Sequence, residues 1–161
     1  MIVIVMGVAG AGKTTIGSLL AAQLGWDFAD ADDFHPNPNI EKIRQGIPLT
    51  DADREPWLDR LRQAIDHWIA ESKNVVLACS ALKRAYRSRL CVGPQVRFVH
   101  LAGSSTLIAE RLRTRQGHFA GESILASQLT DLEKPERAIS VEIANTPEQI
   151  VAEIRKRLDI R

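Results

Sequence analysis

The sequence feature that most limits the folds open to this chain is a glycine-rich loop near its first residue. Residues 7–14 read GVAGAGKT and match the pattern G-x-x-x-x-G-K-[ST] of a phosphate-binding loop. The loop follows an apolar, β-branched run over Ile2–Met6, which predicts a strand buried on both faces. It precedes Lys13–Leu24, where the apolar residues have helical spacing and Gly25 is placed to cap the helix. Strand, loop and helix in this order predict a nucleoside triphosphate site.

The loop residues have distinct predicted roles toward the phosphates. Glycines let the backbone curl so that successive N–H groups form an anion-binding nest, and the helix adds its positive N-terminal end. Lys13 is predicted to reach the β- and γ-phosphates of the nucleotide, and the Thr14 hydroxyl to coordinate Mg²⁺. The predicted nucleotide-binding residues of this segment are Gly7, Val8, Ala9, Gly10, Ala11, Gly12, Lys13, Thr14 and Thr15.

Length, charge and cysteine content narrow the class of protein. A chain of 161 residues suits one domain, which we predict to cover residues 1–161. With 21 basic and 20 acidic residues the net charge is +1, so we expect no nucleic-acid partner. No apolar run is long enough to cross a bilayer and no cleavable leader is visible, so we expect no membrane association. Two cysteines, Cys79 and Cys91, without a paired spacing indicate reduced thiols and a cytoplasmic location.

Strand and helix patterns alternate along the rest of the chain. Further strands are predicted at residues 26–30, 75–79, 96–101 and 139–143. Between and after them we predict a helix that begins at Pro56, one that begins near Ser105, and one that is capped by Thr146 and begins at Pro147. This alternation predicts an α/β fold in three layers, with a parallel sheet of about five strands flanked by helices.

One segment fits this alternation poorly. Residues 113–136 contain Gly117, Gly121 and Pro135 and few periodic apolar residues. We interpret about 113–136 as a mobile lid with a short helix near residues 124–132, and the alternative is an ordinary surface excursion.

Motifs that are absent help to select the kind of P-loop protein. The sequence contains no D-x-x-G and no N-K-x-D element, which a GTPase would need, and no apolar strand that ends in a Walker B aspartate. The second predicted strand is the one that ends in carboxylates, at Asp30, Asp32 and Asp33. These absences disfavour a GTPase and an ATP-driven motor. They leave a small kinase that transfers the γ-phosphoryl group to a separate acceptor molecule.

Phosphoryl transfer to an alcohol requires two carboxylates, and two of these aspartates could supply them. One is needed near Mg²⁺, and another is needed to orient the acceptor hydroxyl and take its proton. Because alternate strand residues share a face, we expect Asp30 and Asp32 to point the same way. They should lie near the phosphate loop if the second strand neighbours the first. The alternative is a solvated acidic turn.

Cations are available to neutralise the transferred phosphoryl group. Arg111 and Arg115 are spaced i, i+4, so they would project from one helical face and could clamp the phosphates as the lid closes. The alternative is an exposed basic helix end. Lys83 and Arg87 follow the third strand, near the sheet edge where α/β sites form.

Longer strings of residues carry a resemblance that covers nearly the whole chain. Three are specific: H-P-x-x-N from His35, G-x-P-L-x-D-x-D-R-x-P-W-L from Gly46, and C-S-A-L-K-x-x-Y-R from Cys79. With the phosphate loop, they resemble the gluconokinase family, which are small shikimate-kinase-like P-loop kinases. The resemblance implies phosphoryl transfer from ATP to D-gluconate, giving 6-phosphogluconate and ADP. Family members often form homodimers, so a homodimer is a candidate assembly.

The resemblance also implies roles for particular residues. Asp30 matches the carboxylate on the Mg²⁺ side, Asp32 the one that faces the acceptor hydroxyl, and Arg54 the arginine that grips the carboxylate of the acid. Further candidates for contacts to the sugar acid are His35, Lys83, Arg87 and Gln128, and the alternative for His35 is a packed loop histidine. Lys13, Asp32 and Arg115 are the predicted catalytic residues. The alternatives that remain open are a shikimate or nucleoside monophosphate kinase and a non-catalytic nucleotide-binding regulator.

Overall fold

A parallel sheet of five strands organises the computed structural model, which describes residues 1–114 and 119–161. The strands are β1 Ile2–Met6, β2 Asp27–Asp30, β3 Val75–Ala78, β4 Val96–Ala102 and β5 Ile139–Glu142. They lie in the order β2-β3-β1-β4-β5, and every neighbouring pair is parallel. The predicted strand count and the predicted parallel pairing are confirmed.

Helices cover both faces of this sheet. They are α1 Lys13–Leu24, α2 Asn37–Arg44, α3 Asp51–Ala70, α4 Arg84–Leu90, α5 Ser105–Thr114, α6 Phe119–Asp131 and α7 Pro147–Leu158, with a 3-10 turn over Ala31–Phe34. In β1, Val3 and Val5 enter a core shared with α1 and α7, whereas Ile2 and Ile4 enter a second core shared with α3 and α4. Alternate residues of β1 are thus buried on opposite faces of the sheet. The sheet is therefore the middle one of the three predicted layers.

Two helix starts show which local signals were informative. Helix α7 begins as predicted, because the Thr146 hydroxyl accepts from the Gln149 N–H and Pro147 occupies the first turn. Helix α3 begins at Asp51, so the predicted start at Pro56 is wrong. Thr50 and Asp53 form a capping box that starts the helix earlier and leaves Pro56 inside it.

Several short elements have little sequence signal. The 3-10 turn and α2 were not predicted, because such short segments contain too few apolar residues for a period to be visible. Helix α6 overlaps the short helix predicted at 124–132 but begins at Phe119. The predicted lid of 113–136 contains residues 115–118, which lie outside the described residues, and its mobility stays a prediction. None of the helices in the described ranges is both long and apolar enough to cross a membrane.

Candidate functional site

The phosphate loop connects β1 to α1 at the carboxyl edge of the sheet. Gly10 and Gly12 have φ values of 82° and 97°, in the left-handed region that favours glycine. A Cβ on Gly10 would lie 2.8 Å from Cγ of Leu112, so the loop packs closely on α5. Lys13 Nζ donates to the Val8 carbonyl at 3.0 Å, which curls the lysine back over the loop.

A cleft opens beside this loop and contains most of the predicted site residues. Its lining includes Lys13 and Thr14 from α1, Asp30 at the end of β2, Asp32, His35, Arg54 and Gln128. Ala9, Gly10 and Gly12 also line it. The side chains of Val8 and Ala11 are buried in the core, and Thr15 is exposed on the first turn of α1. The cleft therefore joins a phosphate loop, a carboxylate pair and an arginine in one place.

The two carboxylates reach the cleft by a route that differs from the predicted one. Strand β2 does not neighbour β1, because β3 lies between them, and Asp32 belongs to the 3-10 turn rather than to a strand. Asp30 is nevertheless beside the loop, since Thr14 Oγ1 donates to its Oδ2 at 3.1 Å. The other oxygen of Asp30 accepts from the Asp32 N–H at 2.9 Å, which caps the turn and sets the distance between the two side chains.

The Thr14 and Asp30 oxygens suit a magnesium ion that is bound together with phosphates. Within residues 1–114 and 119–161 no group of three or more histidines, cysteines or acidic residues is placed to hold a metal alone. Mg²⁺ prefers hard oxygen ligands and takes most of them from water and substrate phosphates, with one or two carboxylates from the protein. One hydroxyl and one carboxylate that already meet at 3.1 Å fit this pattern.

Asp32 is electrostatically set apart from ordinary surface carboxyls. The Asp32 side chain is exposed to the open cleft, where desolvation by the surrounding protein atoms raises the pKa of its carboxyl. The negative charge of Asp30 raises it further, while Lys13 opposes the shift. A carboxylate with a raised pKa is a better proton acceptor than an ordinary aspartate, and its side chain faces the open cleft.

Arg54 projects from the first turns of α3 and is almost fully buried. Its guanidinium donates to the Tyr86 hydroxyl at 3.0 Å and to Oδ2 of Asp131, on α6, at 3.3 Å. Tyr86 in turn donates to Asp51, a residue that also accepts from Lys83 Nζ at 2.9 Å. The guanidinium thus lines the cleft and is paired with a carboxylate of the protein itself, and its predicted grip on the acid stays a prediction.

His35 and Trp57 line the same cleft as Asp32 and Arg54. Their rings are stacked with centroids 4.6 Å apart and planes 10° apart, and Trp57 Nε1 donates to the Ala31 carbonyl at 2.7 Å. Burial and the positive charge of Arg54 lower the pKa of His35 to about 4, so the ring is neutral at pH 7. Trp57 is buried in the core and its ring also lines the cleft.

Gln128 connects α6 to the phosphate loop. Its Oε1 accepts from the Ala9 N–H at 2.6 Å, and Gln128 also lines the cleft, so its predicted contact with the sugar acid stays a prediction. Backbone N–H groups of such a loop are the donors that phosphate oxygens would use. The Gln128 oxygen therefore accepts a hydrogen bond that the Ala9 N–H would otherwise offer to a bound phosphate.

Several predicted residues lie away from the cleft. Arg87 is buried with its guanidinium donating to the carbonyls of Ala81, Leu82 and Glu133, so it supports the backbone and does not line the cleft. Lys83 is paired with Asp51 and also lies outside the lining. Arg111 donates to the Ile143 carbonyl at 2.6 Å, at the end of β5. Arg115 falls outside the described residues, so its predicted role stays a prediction.

Sequence reasoning missed other members of the site. Ser80 and Ser127 line the cleft, and Ala81 beside it has a φ of 45°, an uncommon backbone conformation for a non-glycine residue. The string C-S-A-L-K marks Ser80, whereas nothing in the sequence marks Asp131 as a partner of Arg54. Cys79 also lines the cleft, but burial raises the pKa of its thiol to about 12, so it is not a nucleophile.

Comparison with known proteins identifies relatives of the whole chain. The shikimate kinase family is matched over residues 9–158. The probable gluconokinase of Xenopus tropicalis is 45% identical and is aligned over 99% of this chain and 94% of its own length. A sugar kinase from Janibacter sp. HTCC2649 superimposes with a TM-score of 0.91 at 44% identity, covering 99% of this chain and 94% of that one. A gluconokinase from Sinorhizobium meliloti 1021 superimposes with a TM-score of 0.83 at 40% identity, covering 98% and 94%.

Proposed function

The chain belongs to the shikimate kinase family and, within it, to the gluconokinases, and from this membership we infer that it transfers the γ-phosphoryl group of ATP to D-gluconate. The products are 6-phosphogluconate and ADP. The observation that carries the inference is that a phosphate loop, a carboxylate pair and a buried arginine line one cleft. A kinase for a sugar acid needs each of these three groups.

On the nucleotide side, the phosphate loop and Lys13 would hold the β- and γ-phosphates of ATP. Thr14 and Asp30 would hold Mg²⁺, and the 3.1 Å contact between their oxygens supports that assignment. When bound, the ion supplies charge neutralisation on the phosphate oxygens. Swinging away from the Val8 carbonyl would let Lys13 reach the phosphates without a change in the loop backbone.

On the acceptor side, Asp32 would orient the hydroxyl that attacks and accept its proton. Its raised pKa supports this role because it brings the basicity of the carboxylate closer to that of an effective general base. Arg54 would bind the gluconate carboxylate through its two terminal nitrogens, in the place where it now holds Asp131. His35, in the same cleft as Asp32 and Arg54, would contact a hydroxyl of the chain that joins these two ends.

Other predictions on the site stay open. Arg115 would stabilise the transferred phosphoryl group from the predicted lid, and Arg111 would assist it after leaving the Ile143 carbonyl. A homodimer and a cytoplasmic location also remain predictions, and sedimentation of the purified protein would decide the first. The pairing of Lys83 with Asp51 and the bonds of Arg87 to backbone carbonyls support positioning of the cleft rather than contact with the acid.

An acceptor panel tests the function. Purified protein with Mg·ATP is offered gluconate, shikimate and nucleoside monophosphates, and ADP release is measured. We expect release with gluconate well above background, and loss of it in Lys13→Ala but not in Lys156→Ala, an exposed lysine on α7. No release with gluconate would overturn the inference. Turnover of shikimate or a nucleoside monophosphate alone would reassign the enzyme, and nucleotide binding without any turnover would indicate a regulator.

A further inference from the structure

The His35 ring is held from two sides, and its outer nitrogen is left facing the cleft. One face of the ring stacks on Trp57, and the Nδ1 atom lies 3.1 Å from Nδ2 of Asn39 on α2. The Nε2 atom lies 4.0 Å from Oδ1 of Asp32, too far for a direct hydrogen bond. Both His35 and Asn39 are buried, and His35 and Asp32 line the cleft.

The bonds of Asn39 determine which ring nitrogen carries the proton. Its Nδ2 lies 2.7 Å from the Asp53 carbonyl, and because a carbonyl oxygen can only accept, the atom at that position must be the amide NH₂ group. The second hydrogen of the same group then points at Nδ1 of His35. An Nδ1 atom that accepts this bond is unprotonated, so the proton of the neutral ring resides on Nε2.

We propose that Asn39 is a positioning residue for the acceptor, because its amide holds His35 as the Nε2–H tautomer beside Asp32. The cleft then presents one donor, His35 Nε2–H, and one acceptor, the Asp32 carboxylate, about 4 Å apart. A polyol such as gluconate needs this combination, since each hydroxyl both donates and accepts a hydrogen bond. The proposal rests on the proposed function for the identity of the acceptor. The tautomer itself is a property of the free protein.

A spectroscopic experiment tests the tautomer without any substrate. Two-bond ¹H–¹⁵N correlation spectra of ¹⁵N-histidine-labelled protein distinguish a protonated Nε2 from a protonated Nδ1, and His35→Gln assigns the His35 signals by their disappearance. We expect Nε2–H in the unmodified chain at pH 7 and a mixture of the two tautomers in Asn39→Ala. A protonated Nδ1 in the unmodified chain, or an unchanged pattern in Asn39→Ala, would overturn the proposal. The first of these outcomes is decisive even if Asn39→Ala does not fold.

Kinetics then test the consequence for the acceptor. Asn39→Ala should raise the gluconate KM roughly five- to tenfold, the worth of about one hydrogen bond between neutral groups, while the ATP KM stays within about twofold. Asn37→Ala, which removes an exposed asparagine from the same helix, is the matched control and should leave both constants unchanged. An equal rise in both KM values would indicate a structural role alone and contradict the proposal.

A double variant separates positioning from packing. Glutamine in place of His35 carries an amide N–H near the position of Nε2–H and has no tautomer for Asn39 to select. In the His35→Gln background, Asn39→Ala should therefore raise the gluconate KM less than it does in the unmodified chain. If Asn39→Ala raises the gluconate KM by the same factor in both backgrounds, the proposal is contradicted. If the unmodified chain does not turn over gluconate, the proposed function fails while the tautomer measurement still stands.

Discussion

Asp32 is the residue on which the proposed transfer step depends most. Replacing it by asparagine keeps the shape and removes the proton acceptor, so Asp32→Asn should lower kcat by at least about 10²-fold, with a much smaller effect on the ATP KM. Steady-state kinetics with gluconate measure both constants. Asp33→Asn, the same change at the exposed neighbouring aspartate, is the control. Normal turnover in Asp32→Asn would remove Asp32 from the role of general base.

At this scale the sequence predicts residue types at the site better than it predicts their bonds. Lys13, Thr14 and Asp30 lie together, although the strand that ends at Asp30 does not neighbour β1 as the prediction assumed. Arg87 does not lie with them, because its position depends on the carbonyl of Glu133, 46 residues away in the sequence. A sequence shows that an arginine follows a strand, but it does not show which backbone carbonyls remain for that arginine to satisfy.

The capping box at the start of α3 connects helix stability to the acceptor side of the cleft. Asp53 completes the box with Thr50 and also accepts from Lys42 Nζ at 2.8 Å, while its carbonyl accepts from Asn39. The bonds from Lys42 and Thr50 lower the pKa of the Asp53 carboxyl to about 2, so the box stays intact at neutral pH. The start of α3 therefore positions both Arg54 and the Asn39 amide.

Removing this cap should affect both stability and gluconate binding. We expect Thr50→Ala to lower the free energy of unfolding by about 1 kcal/mol and to raise the gluconate KM. Thr146→Ala removes the equivalent cap from α7, which packs on the opposite side of the sheet, and should cost a similar amount of stability without changing the gluconate KM. Urea unfolding and steady-state kinetics on the two variants make the comparison. A gluconate KM that rises equally in both would mean that the cap acts only through global stability.

The elements that the sequence predicts well are those with a repeated pattern. Strands β1, β3 and β4 and the long helices have apolar patterns that span several residues, whereas α2 has only Ile40 and Ile43 as apolar residues. Strand order is a separate matter. Placing β3 between β1 and β2 is a pairing of distant segments, and periodicity within each segment contains no information about it.

The whole molecule should respond to nucleotide as one folding unit. A ligand that binds only the native state at 100 times its Kd stabilises it by about 2.7 kcal/mol. For a chain of this size, that corresponds to a rise in Tm of roughly 5–10 °C. Thermal unfolding with and without Mg·ATP measures the shift, which Lys13→Ala should abolish and Lys156→Ala should preserve. An unchanged Tm at saturating Mg·ATP in the unmodified chain would contradict nucleotide binding at this loop.

Helix α6 contacts both ends of the cleft from one face. Gln128 bonds to the Ala9 N–H of the phosphate loop, and Asp131, three residues later, bonds to Arg54. Two ligands that each compete with bonds made by the same helix do not bind independently, and thermodynamic linkage requires their influence to be reciprocal. Whatever factor gluconate imposes on the nucleotide dissociation constant, nucleotide must impose on that of gluconate. The two substrates are thus expected to show heterotropic coupling, whose size reports the energy of moving α6.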